Sequence, residues 1–439
     1  MARLAPRCTL APAGTIGFRT LDDFHPDALF HRLDLFRRLR DLRTRLLDPV
    51  RFEEARAELE GPIGPVTGGT PATGDPADAS DAATIERLLG QAPVATKATP
   101  HPAGTPEAKA TVEGLLQRLV RPHITISHAS EQAVLVRSVD AAIAEHMRGL
   151  LHAPTFQALE AIWRSVHWLV SNLALDGAVE LHLLDLSDTE LATAAATAEL
   201  QYSDLWRAIV EAGGASPEGA DWSMLVALRQ FAPTPADLSA LASLATVAAA
   251  AGAPCVASAS PQLMGTDSWA SLASMPAATA LPADDAALWT ALRRSPLAPW
   301  IGLIGPRPLL RLPYGPDSDP VETFAFDEMA GADPAQALLW GHGGAACALL
   351  LGVGVESQGW MGTDTPMDID DLPAWVHGQN GERQLYPVAE AWLGERASQS
   401  LLDQGLMPLL SRRDQPGARL LRWQSIAQPA SPLAGLTRS

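Results

Sequence analysis

Apolar residues in the stretch 150–170 recur at steps of three and four, which is the spacing of one face of an α-helix. Pro154 suits the first turn of such a helix, where a missing N–H costs nothing, and Glu160 with Arg164 forms a favourable i,i+4 pair. The spacing by itself predicts a helix with one buried face, an ordinary element of a core. The predicted buried stripe consists of Phe156, Leu159, Trp163, Val166 and Val170.

A second stripe of this kind lies near the N-terminus, within residues 15–59. Asp22 or Asp23 can cap a helix there, and Pro26 suits its first turn. The pattern predicts one amphipathic helix of about six turns with an arginine-rich solvated face. We expect its apolar face to be a docking face for a partner. That face consists of Leu29, Leu33, Phe36, Leu39, Leu42 and Leu46.

Strand-like and helix-like patterns alternate along the middle of the chain. Alternating residues predict strands at 179–186 and 222–228, and a run of small apolar residues predicts a buried strand at 255–260. Ser187 and Glu190 have the spacing of a capping box that opens a helix. The predicted helices cover residues 112–120, 134–151, 200–212 and 236–251. This order favours an α/β fold of layered domains, with a mixed or largely parallel sheet flanked by helices.

Residues 60–110 differ in composition, because they are rich in Gly, Pro, Ala, Thr and Asp and contain little to bury. They are predicted to be a linker. Residues 81–90 inside it can form a short helix, with Ile85, Leu88 and Leu89 on one side. So short a helix is marginal in water and would need a partner, and a casual helical turn is the other interpretation. The predicted organisation is a helical segment at 1–59, the linker at 60–110, an α/β region at 111–427 and a C-terminal tail at 428–439.

The length of 439 residues allows two or three domains, and 47% hydrophobic residues suffice for substantial cores. A formal charge of −18 argues against a generally positive surface that would bind nucleic acid or anionic membranes. Three cysteines that lie far apart, at positions 8, 255 and 347, suggest a reducing compartment. The first residues lack a signal-peptide pattern, and the uncharged runs 238–266 and 337–355 suit buried helices and strands better than membrane spans. We therefore expect a cytoplasmic protein.

Two segments begin like motifs for cofactor binding or catalysis, but neither motif is complete. Residues 352–359 begin like a dinucleotide loop but carry Ser357 at the third glycine position, and residues 341–344 resemble an oxyanion loop without a nucleophile elbow. The histidines and cysteines lack metal-type spacing, and an acidic turn at 368–371 is better explained by solvation than by a cation. We predict no catalytic, cofactor or metal residues and no enzymatic activity.

Arg307 and Arg311 stand in an otherwise apolar run. A guanidinium that is buried there needs a carboxylate partner, for which Glu328 or Asp327 is a candidate. The sequence favours a structural ion pair and leaves a ligand site open as the alternative.

Three segments resemble the contractile sheath large subunit of bacterial type VI secretion systems. LLHAPTFQALEAIWRSVHWLV (150–170) is similar to a region of that family, with Ser165 where Gly is usual. SPLAPWIGLIGPRPLLRLPYGPDSDPVETFAFDE (295–328) and LLWGHGGAACALLL (338–351) are similar to two later regions, with His342 for the usual Asn. The resemblance implies structural roles for the signature residues Phe156, Gln157, Glu160, Trp163, Arg164, Arg307, Arg311, Pro313, Tyr314, Glu328 and Trp340.

Residues 18–49 resemble a different protein, the sheath small subunit, whose C-terminal segment carries an Asp-Phe-x-Pro motif followed by an amphipathic helix. The two resemblances imply the sheath small subunit and other sheath or baseplate components as partners. They also imply that helix 81–90 corresponds to the helix that the AAA+ unfoldase recognises in large subunits. Family members continue beyond the region similar to 418–427 into a tube-side domain, which we do not expect here, and this makes ordinary polymerisation doubtful.

The leading functional hypothesis is a sheath-large-subunit-like component of a type VI secretion system with an accessory or specialised role. It would bind sheath components and cap, nucleate or regulate their assembly. A regular structural subunit of the contractile sheath is the alternative. A second alternative, an α/β enzyme on a degenerate scaffold, predicts a deep polar pocket with a perturbed titratable group.

Overall fold

The computed structural model describes most of the chain. The described residues are 1–10, 13–60, 131–175, 177, 179–197, 199–211, 213, 222–274, 280–358, 366–379 and 382–436. The predicted linker and the predicted helices at 81–90 and 112–120, with Ile85, Leu88 and Leu89, lie outside these residues.

The chain divides into two compact units. The first consists of Met1–Gln157 and Tyr314–Glu328, and the second of Ala158–Pro313 and Met329–Ser439. The predicted N-terminal helical segment therefore belongs to one unit with residues from the signature region, including Phe156 and Tyr314.

The first unit starts with a two-stranded antiparallel hairpin, β1 (Arg7–Leu10) and β2 (Gly14–Gly17), and a 3-10 turn at Leu21–Phe24. Its helices are α1 (Pro26–Arg32), α2 (Asp34–Leu47), α3 (Phe52–Glu60) and α4 (Glu131–Leu151). The next helix, α5 (Pro154–Asn172), contributes its first residues to this unit. Pro26 occupies the first turn of α1, as predicted, and His25 caps it by accepting a hydrogen bond from the N–H of Asp27.

The single helix predicted within residues 15–59 is wrong, because the chain forms two helices that are separated at Leu33. The backbone of Leu33 is extended, with ψ of 134°, so the helical hydrogen bonds stop there and restart at Asp34. α2 then packs against both α3 and α4. The stripe itself is confirmed as a buried face, and it is buried within the chain's own first unit. The buried residues are Leu29, Leu33, Phe36, Leu39, Leu42 and Leu46.

The helix predicted over 150–170 also differs in detail. Leu150 and Leu151 end α4, and α5 begins at Pro154. The buried face of α5 is turned from the predicted stripe, since Phe156 is buried but Val170 keeps 47% of its surface exposed. The buried residues are Phe156, Glu160, Ala161, Ser165 and Leu169. Apolar spacing missed this face because two of its members are polar.

The second unit is built on a sheet that, among the described residues, has six strands in the order β3-β4-β5-β9-β10-β6. Its first four strands run parallel, and β10 and β6 are antiparallel to their neighbours. These strands are β3 (Leu225–Phe231), β4 (Cys255–Ala259), β5 (Ile301–Gly305), β6 (Asp368–Ile369), β9 (Leu406–Ser411) and β10 (Ala418–Leu420). A separate antiparallel hairpin is formed by β7 (Val376–Gln379) and β8 (Glu382–Leu385). The predicted α/β fold with a mixed, largely parallel sheet is confirmed.

Helices cover both faces of this sheet. They are α6 (Asp188–Ala196), α7 (Pro235–Ala251), α8 (Trp269–Ser274), α9 (Ala283–Arg294), α10 (Gly343–Gln358) and α11 (Glu395–Asp403). Cys255 and Ala257 of β4 pack in the cluster that contains α7, whereas Val256 packs in the cluster that contains α10. This alternation is the period of two that places successive strand residues on opposite faces.

The start of α10 lies very close to the sheet. A Cβ atom on Gly343 would come within 2.7 Å of the side chain of Ile304, and one on Gly344 within 3.0 Å of the carbonyl oxygen of Val256. A side chain at Gly343 would force its neighbours to move, and one at Gly344 would be tightly crowded, so glycine at these positions permits close helix–sheet packing. Within the described residues, every helix is too short or too polar to cross a bilayer.

Several predicted elements of the second unit need correction. Residues 179–186 are described without regular structure, so the predicted strand is wrong, and the strand predicted at 222–228 lies instead at Leu225–Phe231. The helix predicted at 200–212 is broken into a 3-10 turn at Leu200–Tyr202, a turn at Asp204–Trp206 and a π-helix at Arg207–Glu211. Apolar and polar residues do alternate at 179–186, but a strand also needs a neighbouring strand that exchanges backbone hydrogen bonds with it.

Other predictions hold. The buried strand at β4 and the helix at α7 lie within one residue of their predicted bounds, and Ser187 with Glu190 forms the capping box at the start of α6. The segment predicted as a tail is partly a core element, because Leu433 and Leu436 are buried against the α10 side of the sheet.

Candidate interaction sites

The most deeply buried charges of the second unit meet on α5. Nε of Arg164 and Nε of Arg311 both donate to Oε1 of Glu160, at 2.7 and 2.9 Å. The Glu160 side chain is fully buried and that of Arg311 is 5% exposed. Nη1 of Arg311 also donates to the carbonyl oxygen of Leu312 at 3.1 Å.

This arrangement is a structural one. A carboxylate and a guanidinium lose their hydration when they are buried, and only close pairing offsets that loss. The ion pair joins α5 to the segment that follows β5, so Arg164, Arg311 and Glu160 fix this helix against that segment. The sequence predicted the pair of Glu160 and Arg164, but it did not predict that Glu160 also binds Arg311.

A second ion pair holds Arg307. Its backbone N–H and its Nε donate to Oε2 of Glu390 at 2.7 and 3.2 Å, and its Nη2 donates to Oε1 at 2.7 Å. The expected partner for Arg307, Glu328 or Asp327, is therefore wrong. Glu390 has a positive φ of 41°, an uncommon conformation for a residue with a side chain. Glu390 was missed because nothing in its local pattern singles it out.

Glu328 has a different role within the first unit, where it closes the segment Tyr314–Glu328. The N–H of Tyr314 donates to Oε2 of Glu328 at 2.7 Å, and the N–H of Glu328 donates to the carbonyl oxygen of Tyr314 at 2.8 Å. Nε2 of His152 lies 3.6 Å from Oε1 of the same carboxylate. The two ends of the segment are thus joined by reciprocal hydrogen bonds around a fully buried carboxylate.

The remaining signature residues are packing elements. Trp340 is buried and its Nε1–H donates to the carbonyl oxygen of Ala335 at 2.9 Å, which satisfies the indole. Pro313 is buried, whereas Gln157 and Trp163 are half-buried.

Phe156 belongs to an aromatic cluster of the first unit. Its ring lies 5.9 Å from that of Phe18 and 5.5 Å from that of Phe24, in edge arrangements, and those two rings stack at 4.1 Å. All three rings are buried, so this signature residue is covered by residues that precede α1.

The segment Tyr314–Glu328 is also held by α1. The carboxylate of Asp27 accepts hydrogen bonds from the N–H groups of Glu322 and Thr323, both at 3.1 Å, and from the Thr323 hydroxyl. The ring of Phe30 stacks on that of Phe324 at 4.5 Å. Burial alone would raise the pKa of Asp27, but the hydrogen bonds from Thr323 and Glu322 outweigh it and lower that pKa.

A cavity of about 400 Å³ lies in the second unit, between α5, α10 and the turn at 368–373. Its lining includes Arg164 and His167, apolar residues such as Trp168 and Leu349, and the acidic turn. The carboxylates of this turn are paired with arginines. Asp368 lies 3.1 Å from Arg419 and 3.8 Å from Arg412, and Asp370 lies 3.6 Å from Arg412. In the part of the chain that the structure describes, no group of acidic, histidine or cysteine residues has the arrangement of a metal site.

Strongly displaced pKa values occur away from this cavity. Burial, with a smaller contribution from the charge of Arg307, lowers the pKa of His342 to about 3. Burial raises the pKa of Cys255 to about 12 and also raises that of Cys347, so both thiols stay protonated. These three side chains lie in the packed core and do not line the cavity.

Comparison with known proteins connects this geometry to a family. Residues 133–427 match the family described as EvpB/VC_A0108, tail sheath N-terminal domain. A curated relative, the type VI secretion system sheath protein TssC1 of Pseudomonas aeruginosa, is 29% identical over 305 residues. That match covers 67% of this chain and 61% of the relative. The matched range contains α5, the sheet and every signature residue, and it does not contain residues 1–132.

Proposed function

Because this chain belongs to the sheath large-subunit family of type VI secretion systems, we propose that it is an accessory component of such a system. It binds sheath components and caps, nucleates or regulates their assembly, and it works through protein–protein contacts. The proposal assigns no reaction to the chain, and it places the protein in the cytoplasm with the sheath small subunit as its main partner.

One observation carries the accessory role. Residues 1–60 lie outside the range matched to the family, yet they pack onto two elements inside it, α4 and the segment Tyr314–Glu328. A surface of the sheath-like region that could face another protein is therefore covered by the chain itself. This favours a specialised member over a subunit whose whole surface is available for a regular lattice.

The charges of the signature residues are consistent with a structural scaffold. Arg164, Arg311 and Glu160 pair with one another, and Arg307 pairs with Glu390. Guanidinium groups that are paired in this way have a structural role, because removing either partner would leave a poorly hydrated charge unpaired. The regular structural subunit of the contractile sheath remains the competing function, and the family match favours it as much as the accessory role.

An experiment that mixes purified small subunit with the tagged chain distinguishes these two functions. The accessory role predicts that the tagged chain retains the small subunit on an affinity resin, while electron microscopy of the mixture shows no long tubules. A regular large subunit mixed with the same small subunit supplies the positive control for tubules. Long tubules formed by this chain would reject the accessory role and favour the regular subunit.

Baseplate components and the AAA+ unfoldase are further proposed partners. For the unfoldase, the proposed contact is the segment 81–90 through Ile85, Leu88 and Leu89, which the sequence predicts to lie on one side of a short helix. A double substitution of Leu88→Asp and Leu89→Asp should abolish binding of the purified unfoldase. Equal binding by wild type and variant would remove this segment from the proposal.

A further inference from the structure

The cavity of about 400 Å³ in the second unit has a buried lining that is apolar and an exposed lining that is acidic. Leu309, Leu349 and Leu350 are buried, whereas Asp370 and Asp371 are exposed. The volume lies within the range of about 300–1,000 Å³ that is typical of small-molecule sites. A ligand that suits this lining has an apolar part and a polar part.

The turn 368–371 carries more negative charge than its arginine partners neutralise. Arg412 is shared between Asp368, at 3.8 Å, and Asp370, at 3.6 Å. Arg419 lies 3.1 Å from Asp368. With Asp371, the turn holds three carboxylates against these two guanidinium groups, which leaves a surplus of one negative charge. The acidic side of the cavity therefore attracts a cation.

The surplus charge is that of Asp371. In the part of the chain that the structure describes, its carboxylate takes part in no hydrogen bond or ion pair. Arg412 makes its closest ion pair with Asp414, at 3.1 Å. Water satisfies an exposed carboxylate, so the position of Asp371 on the wall of an apolar cavity, rather than its lack of a partner, indicates a ligand.

The turn is held in a defined position before any ligand arrives. The N–H of Leu372 donates to the carbonyl oxygen of Pro416 at 3.0 Å, and Nε2 of Gln415 donates to the carboxylate of Asp370 at 2.6 Å. The strand β6, from which the turn leads, is paired with β10. A ligand therefore meets carboxylates that are already in place and loses little affinity to ordering them.

The basic side of the lining is occupied by the fold itself. Nε of Arg164 donates to the fully buried carboxylate of Glu160 at 2.7 Å. The positive charge of Arg164 thus has an anionic partner inside the second unit, whereas Asp371 has no cationic partner among the described residues. A positively charged ligand gains more in this cavity than a negatively charged one.

The lining also selects among cations. Within the described residues, no acidic, histidine and cysteine side chains are grouped as they are around a metal ion, so an organic cation fits better. Trp168 is half-buried in the lining and supplies an indole ring, the aromatic group that binds cations most strongly. A guanidinium group stacks on such a ring, binds carboxylates through a planar pair of donors and is more weakly hydrated than an ammonium group.

We propose that this cavity binds an alkylguanidinium group. Its alkyl chain lies among Trp168, Leu349 and Val353, and its guanidinium binds the carboxylates of Asp370 and Asp371. The arginine side chain of another protein and free alkylguanidines share this group. The site lies wholly within the second unit and does not depend on the proposed function.

Saturation-transfer NMR on the full-length protein tests the proposal, with 1-butylguanidinium as the probe. The intact chain should bind the probe with a Kd below about 1 mM. Asp371→Asn should weaken binding by about tenfold, because it removes the charge while asparagine tolerates the positive φ of 57° at this position. Asp267→Asn is the matched control, because Asp267 is an exposed carboxylate of the same unit that does not line the cavity, and it should bind like the intact chain.

Equal affinities of the intact chain and Asp371→Asn would overturn the proposal, since they would show only a general attraction of cations to a protein of charge −18. Binding of butyrate as strong as that of 1-butylguanidinium would overturn it as well. Butylammonium should bind more weakly than 1-butylguanidinium, and the opposite order would reject the guanidinium as the recognised group.

Insertion of the alkyl chain into the cavity has a test of its own. Val353→Phe fills part of the interior and should abolish binding, and undiminished binding by a variant whose circular dichroism matches that of the intact chain would overturn the placement. If this variant does not fold, methylguanidinium decides the matter on the intact chain. It should bind at least about tenfold more weakly than 1-butylguanidinium, because it buries less apolar surface, and equal binding would overturn the placement.

A blocked Gly-Gly-Arg-Gly-Gly peptide distinguishes the two sources of the group. Binding of this peptide at least as tight as that of 1-butylguanidinium, and weakened by Asp371→Asn, would identify the arginine side chain of a partner protein. Binding of 1-butylguanidinium without binding of the peptide would identify a free alkylguanidine. Absence of binding by both at about 10 mM would overturn the proposal.

Discussion

Glu160 and Arg311 form a hydrogen-bonded ion pair at 2.9 Å, although 151 residues separate them in the chain. Glu160 lies on α5 and Arg311 lies in the segment that follows β5, so the pair links a helix to the chain leaving a central strand. Arg164 shares the same carboxylate oxygen from one helical turn away. Three charged residues of the family signature, Glu160, Arg164 and Arg311, thus act as an internal connection between elements of the second unit.

Glu160→Gln should destabilise the protein by about 3–5 kcal/mol, because both guanidinium groups would lose a buried anionic partner. The free energy of unfolding from urea denaturation measures the effect. Glu180→Gln is the control, since the Glu180 side chain is 73% exposed and its ion-pair partner, His182, is exposed as well. A loss under about 1 kcal/mol for Glu160→Gln would show that the pair is not the connection described here.

Arg307→Lys should cost about 1–3 kcal/mol, because lysine cannot reproduce the two parallel donors that bind the partly buried carboxylate of Glu390. Thermal unfolding of the purified variant provides the measurement. Arg419→Lys, in a pair that is more than half exposed on the arginine side, should leave the midpoint unchanged. Equal midpoints for the two variants would argue against a role for the bidentate geometry.

The lowered pKa of Asp27 predicts that the contact between α1 and the segment Tyr314–Glu328 depends on pH. Its folded-state pKa is lowered from the ordinary 3.8, so its contribution is fully present above that pH and is lost as the pH falls through the folded-state value. Asp27→Asn should therefore be less stable than wild type at pH 6. The difference between the two unfolding midpoints should shrink below about pH 4. A difference that stays constant from pH 6 to pH 3 would contradict this assignment.

The lowered pKa of His342 predicts a second pH dependence of stability, at higher pH than that of Asp27. Its pKa is about 3 in the folded chain against an ordinary 6.5, so stability is full above pH 6.5 and falls as the unfolded chain takes up a proton. Between pH 7 and pH 5 this loss should amount to about 2 kcal/mol. His342→Asn removes the titratable group, and its free energy of unfolding should vary less over this range by that amount. Parallel pH profiles for the two proteins would show that His342 is not buried in neutral form.

Some of this structure follows from the sequence because local pattern and packing agree. The stripe from Leu29 to Leu46 is buried, and β4 and α7 form within one residue of the bounds predicted for a buried strand and a helix. The break at Leu33 did not follow, because apolar spacing continues through it while the backbone turns extended. The buried face of α5 was missed since it includes Glu160 and Ser165, which spacing rules assign to solvent.

Long-range partners were the least predictable part. Glu390 pairs with Arg307 across 83 residues, and Asp27 binds the backbone of Thr323 across 296 residues. Local patterns predict elements but do not specify which distant elements meet. The sequence predicted that Arg307 and Arg311 form ion pairs. The structure shows which carboxylates bind them, namely those of Glu390 and Glu160.

Affinity purification of the tagged chain from the bacterium that produces it, followed by mass spectrometry, tests the central claim most directly. The account predicts that the sheath small subunit is enriched with the chain. Recovery of the chain without any sheath component, under conditions that recover the regular small and large subunits together, would contradict it.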